Sequence, residues 1–241
     1  MDTSHPAREP TMTFVQLVDY RTHQPEAMND LLDKYVAQSQ GKRTVTHSVV
    51  GKDRDQTDHY VNFVEFPSYE EAMKNSNLPE TDRMFHEMTA LCDGMPTFTN
   101  LDTVRDEHLN TLMVNRMYDD IAMKGDMSVI EEIFAPDYRD HDISNPEDKH
   151  GYAAIREDVE MWRAAFDFSF TRDAQMAQDD YVTTLWTWTG THKGEFMGVA
   201  PTGKSCTMTG TTVFRCQDGM IKEGWWHYDA MGLMRQLGMM E

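Results

Sequence analysis

The chain has 241 residues, 39% of them hydrophobic, which is long for one compact domain and comfortable for two. Forty-one acidic against 22 basic residues give a formal net charge of −19. This excludes the Lys/Arg-rich surfaces that bind nucleic acid phosphates or anionic membranes. The excess acid reads as a solubility feature, with steering of a cationic substrate as the alternative. No apolar run approaches the ~20 residues that span a bilayer, and the polar N-terminus lacks a signal-peptide core, so a cytoplasmic protein is expected.

Residues 1–11 read as a loose tail. Residues 13–20 (TFVQLVDY) predict a strand. Pro25 then opens a helix to about residue 38. Proline fits the first turn, Leu31, Leu32, Tyr35 and Val36 form one apolar face, and Gly41 ends it. Residues 44–50 and 59–66, joined by the polar KDRDQTD, predict two paired strands. Ser68 and Glu71 form a capping box for a helix beginning YEEAM. Asn77, Leu78 and Pro79 break that helix, a second piece reaches about Cys92, and 96–102 predict a last strand. The order β-α-β-β-α-β is that of a ferredoxin-like fold.

RDEHL, residues 105–109, reads as a charged linker, and the pattern then changes. Residues 112–124 predict a helix with a stripe of Met113, Met117 and Ile121. A second helix is expected over 127–134, ended by Ala135 and Pro136. A third, over 151–165, places Ile155, Val159 and Trp162 at i, i+4 and i+7. Four strand-like runs follow, 168–176, 181–192, 204–216 and 220–229, joined by QDD, PTG and DG turns. Residues 230–237 close with a short helix. Helices first and antiparallel strands after predict a second α+β domain. Cys206 and Cys216 share one strand ten residues apart, roughly 33 Å, beyond disulfide reach. No Cys/His cluster suggests zinc, so free thiols are expected. The 20 methionines read as core filling.

Strand alternation sorts the residues of the last strand by face. Trp225, His227 and Asp229 share one face; Trp226 and Tyr228 share the other. If the first face lines a hollow, desolvation beside the aromatics raises the Asp229 pKa and suits it to act as a base. On pattern alone, Asp229 also reads as the N-cap of the final helix. On the strand 181–192, Val182, Trp186, Trp188 and His192 share one face. His192 reads either as a donor to a substrate carbonyl, stabilising an enolate, or as a turn histidine bonded to backbone. His141 lies between Asp140 and Asp142, whose charge favours imidazolium. It reads as a site residue or as an exposed loop histidine. Tyr118 and Trp162 read as pocket lining or core.

Two resemblances refine this reading. The stretch HYVNFVEFPSYEEAMKNS resembles the antibiotic-biosynthesis-monooxygenase family of dimeric α/β barrels, over about residues 12–104. Members often carry Trp where Phe66 stands and His where Asn75 stands. Those departures imply an assembly domain rather than an oxygenase or haem site. The segments GTHKGEFMGVAPTGKS and VFRCQDGMIKEGWWHYDAMGLMRQLG resemble the SnoaL-like family of polyketide ester cyclases, over residues 110–241. The resemblance implies a nuclear-transport-factor-2-like cone of curved antiparallel sheet and helices around a pocket. It gives Asp229 the role of acid/base in an aldol-type ring closure, compatible with capping. It also places His141 near the pocket mouth.

The expected whole is therefore an α+β protein with a ferredoxin-like half and a cone-shaped half. Its expected activity is cyclisation of a polyketide or other aromatic carbonyl compound in secondary metabolism. Asp229, His192 and His141 are the expected catalytic residues. His227, Trp225, Trp186, Trp188, Tyr118 and Trp162 are the expected substrate contacts. No metal or organic cofactor is expected, because a ketone-flanked C–H is already acidic. A cofactor-independent monooxygenase or hydroxylase is the first alternative, and a non-catalytic binding or assembly module the second. Both resemblances imply a homodimer or higher homo-oligomer. Nucleotide loops, serine-hydrolase elbows and HExxH helices are absent from the sequence.

Overall fold

The computed structural model describes residues 13–142, 145 and 147–240. The tail expected over 1–11 lies outside them. The chain divides between Asp106 and Glu107 into two compact units. Among the described residues, no helix is long and apolar enough to cross a membrane.

The first unit runs β1 (Phe14–Arg21), α1 (Pro25–Gln38), β2 (His47–Lys52), β3 (His59–Phe66), α2 (Tyr69–Ser76), α3 (Pro79–Leu91) and β4 (Thr97–Asp102). Its four strands form an antiparallel sheet in the order β2-β3-β1-β4, as the ferredoxin-like reading requires. One face of β1 and β3 meets the helices, where Val18, Tyr20 and Tyr60 pack with Met28, Leu31 and Met88. The capping box forms in part: Ser68 Oγ accepts the Glu71 N–H at 3.3 Å. The strand expected over 44–50 starts later, because its ladder with β3 runs from His47 opposite Glu65 to Lys52 opposite Tyr60.

The second unit begins with α4 (Leu109–Arg116), which continues as a π-helical stretch, Met117–Lys124. A 3-10 turn (Met127–Val129) leads into α5 (Ile130–Ile133). Then come β5 (Phe134–Asp140), β6 (Lys149–His150), α6 (Gly151–Ala165), β7 (Phe166–Gln178), β8 (Tyr181–His192), β9 (Ser205–Gln217), β10 (Met220–Tyr228) and α7 (Ala230–Leu237). The helix expected over 127–134 is thus short, and Phe134 already belongs to a strand. Pro136 is exposed on that strand, where its missing N–H costs least. The sheet order is β6-β5-β10-β9-β8-β7, with β5 parallel to β10 and the other pairs antiparallel. One face of β8 is buried at Val182, Thr184, Trp186, Trp188, Gly190 and His192. It packs with Phe166, Met208 and Phe214 from neighbouring strands and with Met117, Ile121 and Ile155 from the helices. Cys206 and Cys216 are buried free thiols, and Cys92 is free and half-buried.

Candidate active site

The sheet and helices of the second unit bound a cavity of about 80 Å³. Its wall is apolar and largely aromatic: Trp162 from α6, Phe168 and Phe170 from β7, Trp186 and Trp188 from β8, and Trp226 from β10. Among the described residues its polar lining is Asp140, Asp142, Asp158 and Tyr228. Glycines hold the tryptophans in place. Gly210 lies opposite Trp186, and a Cβ there would come within 2.3 Å of the indole ring. A Cβ on Gly190 would likewise meet Trp188 at 2.5 Å. Trp186 is anchored by its indole N–H, which donates to Thr212 Oγ1 at 2.8 Å.

Asp140 is brought in by β5. Tyr138 and Asp140 alternate inward and are 0% and 1% exposed, while Arg139 and His141 turn outward or to the sheet's rim. Asp140 pairs across to Gly224 of β10. A Cβ on Gly224 would sit 2.2 Å from the Tyr138 hydroxyl. The missing side chain gives that hydroxyl room to donate to Asp140 Oδ2 at 2.9 Å. Asp140 Oδ1 accepts the Asp142 N–H at 3.0 Å. Tyr228 donates to Asp142 Oδ2 at 3.2 Å. Asp158 lies on α6 one turn from Ile155 and Trp162, and pairs with Lys149.

These carboxylates do not titrate like surface ones. Burial pushes Asp140 up to about 6, opposed by the Tyr138 and Asp142 bonds and reinforced by the charges of Asp158 and Asp142. Asp158 is also raised, by burial first, with Lys149 opposing. Tyr138 is held well above the ordinary phenol range by burial and by the Asp140 charge. Tyr118, buried on the π-helical stretch, is pushed up to about 12 by burial. A carboxylate near 6 in a largely apolar cavity is ionised at neutral pH yet more basic than a surface aspartate. That combination suits proton abstraction.

The structure distributes the expected site residues unevenly. Trp162, Trp186 and Trp188 line the cavity. Tyr118 packs edge-on against Phe170 as core, outside the lining. The faces of β10 are reversed relative to expectation: Trp226 and Tyr228 face the cavity, and Trp225, His227 and Asp229 do not. Alternation tells which residues share a face, not which face is inside. A bulge between Ile221 and Glu223 sets the phase, so that Ile221, Gly224 and Trp226 fall on the packed side. Trp226 packs edge-on against Phe214 at 5.6 Å. Trp225 instead stacks on His141 at 4.9 Å, and His227 is exposed. Asp229 is exposed and is the N-cap of α7, its Oδ1 accepting the Gly232 N–H at 2.8 Å.

The two histidines also lie off the lining. His141 bridges Asp148 at 2.8 Å and Glu223 at 3.0 Å. His192 is fully buried against Phe166. Its Nδ1 accepts the Thr202 N–H of the PTG turn at 3.2 Å. The carboxylates that do line the cavity, Asp140, Asp142 and Asp158, are not among the expected site residues. Asp158 had a readable signal: it falls on the Ile155–Val159–Trp162 stripe of α6, where a charge should not lie without a reason.

No curated protein matches this chain. Solved structures resemble its second half. A candidate polyketide cyclase of Acidithiobacillus ferrooxidans is 28% identical, with TM-score 0.52, over 56% of this chain and 99% of its own. A candidate SnoaL-like polyketide cyclase of Jannaschia (23% identity, TM-score 0.52, 58% and 99% covered) and TsrD of Streptomyces laurentii (23%, 0.51, 56% and 99%) share the fold. The family model described as SnoaL-like polyketide cyclase matches residues 112–237, which include every residue of the cavity wall named above. With this aromatic-walled, carboxylate-bearing cavity, the chain belongs to the SnoaL-like polyketide cyclase family.

Proposed function

We propose that the second unit closes a ring in a polyketide-type aromatic carbonyl compound by acid/base chemistry in this cavity, with Asp140 moving the proton. The reading is carried by one observation: a carboxylate only 1% exposed lines an aromatic cavity and is held near 6 by burial. In the proposed step the Asp140 carboxylate removes a proton from carbon flanked by a carbonyl. The resulting enolate carbon attacks a second carbonyl carbon of the same molecule and forms the ring bond. The alkoxide that results takes the proton back from Asp140. Atoms and charge balance, and the step calls on no metal or organic cofactor. The aromatic walls hold the flat substrate and exclude water, which strengthens the electrostatics of the transfer.

In this reading Asp229 caps α7, its Oδ1 accepting the Gly232 N–H, and does not act as the base. His141 and His192 act in this reading by holding, respectively, the β5–β10 rim and the PTG turn. We also propose a homo-oligomer. In its favour, β2, β3 and β4 of the first unit expose Val49, Phe63 and Leu101. Register places Val49 opposite Phe63, Phe63 opposite Leu17, and Val15 opposite Leu101, all on one sheet face.

The test of the reaction is hydrogen–deuterium exchange at the benzylic C–H of phenylacetone, a minimal aryl ketone, followed by proton NMR across pH. The catalysed rate should rise as pH passes through about 6, where Asp140 ionises, and then level off. A flat profile, or no catalysis above buffer, would refute the assignment.

A further inference from the structure

Resting on the reading of this cavity as the substrate site, we infer that it selects a ligand carrying a protonated amine, seated between the Asp142 and Asp158 carboxylates and the aromatic wall, and rejects carboxylates. Among the described residues that line the cavity, three are acidic and none is basic. Lys149, the cation on Asp158, is not among the lining residues.

The hydrogen-bonding inventory points the same way. Asp140 accepts one bond on each oxygen, from Tyr138 and from the Asp142 N–H. A carboxylate has about four lone-pair sites, so acceptor capacity remains. Tyr228 spends its O–H on Asp142, and the Trp186 N–H is taken by Thr212. The ionised carboxylates of the lining offer only acceptors, and an ammonium brings three donors and no acceptor.

The wall adds a second, independent preference. Six tryptophan and phenylalanine rings line the cavity, and their negative faces attract a desolvated cation. Asp158 and Asp142 repel one another, as do Asp158 and Asp140, and a cation between them relieves that repulsion. An anionic ligand would enter the same space with no countercharge among the described residues of the lining, the arrangement by which sites reject a wrong partner. The amine would hold the substrate while Asp140 handles the proton.

The test uses three probes of one shape, benzylamine, benzyl alcohol and benzoate, titrated at pH 7 into the full chain. Binding is read from the indole N–H resonances of Trp162, Trp186, Trp188 and Trp226. Benzylamine should bind about tenfold more tightly than benzyl alcohol, and benzoate should leave these resonances unmoved. Asp158→Asn and, separately, Asp142→Asn should each remove most of the preference for benzylamine over benzyl alcohol. Equal affinity for amine and alcohol, or benzoate binding as well as either, overturns the inference and leaves the cavity reading standing. Amine binding that both variants leave intact, or that moves only other resonances, assigns the cation to the acidic surface and also overturns it. If none of the three probes moves the four indoles, the inference and the cavity reading fall together. Amine selectivity without catalysed exchange of phenylacetone would sustain the inference and remove only the proposed reaction.

Discussion

Burying Asp140 has a stability cost that can be measured apart from activity. Its pKa stands at about 6 in the folded chain against 3.8 for an ordinary aspartate. The proton therefore favours folding below pH 3.8, and that contribution is lost as pH rises through about 6, where the native state must hold a buried anion. At about 1.4 kcal/mol per pKa unit, the difference approaches about 3 kcal/mol, and losing the Tyr138 bond offsets about 1 kcal/mol of any gain from removing it. Asp140→Asn should accordingly be about 2 kcal/mol more stable than the parent chain at pH 8 and no more stable at pH 3.5, as urea unfolding at the two pH values would show. An equal effect at both would deny that Asp140 is strained by burial. At this scale the sequence was informative where a residue broke its surroundings' pattern. Asp158 interrupts an apolar stripe, and Trp186 and Trp188 sit on one face of a strand. It was silent on Asp140, whose flanking Arg139, His141 and Asp142 make the whole segment read as a solvated loop.

Elements explain why Asp140 is there at all. β5 carries Phe134, Tyr138 and Asp140 inward, an alternation masked in the sequence by Ala135 and Pro136 and by the helical pattern that precedes it. Its partner is β10, remote in sequence and parallel, so no local signal such as a hairpin turn announces the pairing. The same non-locality hid the orientation of β10, where the bulge after Ile221 and packing on Phe214 decide which tryptophan faces the cavity. The antiparallel strands with turn chemistry between them, β7 to β10, were legible for the opposite reason. The contact between β5 and β10 is tight at Gly224, and it gives a sharp prediction. In Gly224→Ala the new methyl would meet the Tyr138 hydroxyl and, at 2.9 Å, the Phe214 ring. Overpacking of this kind costs about 1–3 kcal/mol. Displacing the Tyr138 hydroxyl also removes a bond that lowers the Asp140 pKa, so the midpoint of the exchange profile should move above 6. Unchanged stability and an unchanged midpoint would show that Gly224 does not shape the site.

At the scale of the whole molecule the chain divides into a ferredoxin-like unit and a SnoaL-like unit. The second unit contains the aromatic-walled, carboxylate-bearing cavity. The first exposes an apolar sheet face through Val49, Phe63 and Leu101, a patch that single soluble chains usually cover. Light scattering on the full chain should give a mass of at least twice 27.9 kDa, and Phe63→Lys should shift it toward one copy; a monomeric parent chain would contradict the assembly reading. Phenylacetone exchange, measured for the parent chain, Asp140→Asn and Asp229→Asn side by side at pH 8, decides which carboxylate moves the proton. With Asp140 as the base, Asp140→Asn loses about a hundredfold or more and Asp229→Asn, whose cap bond an asparagine retains, changes little. Full exchange in Asp140→Asn with loss in Asp229→Asn would contradict that assignment.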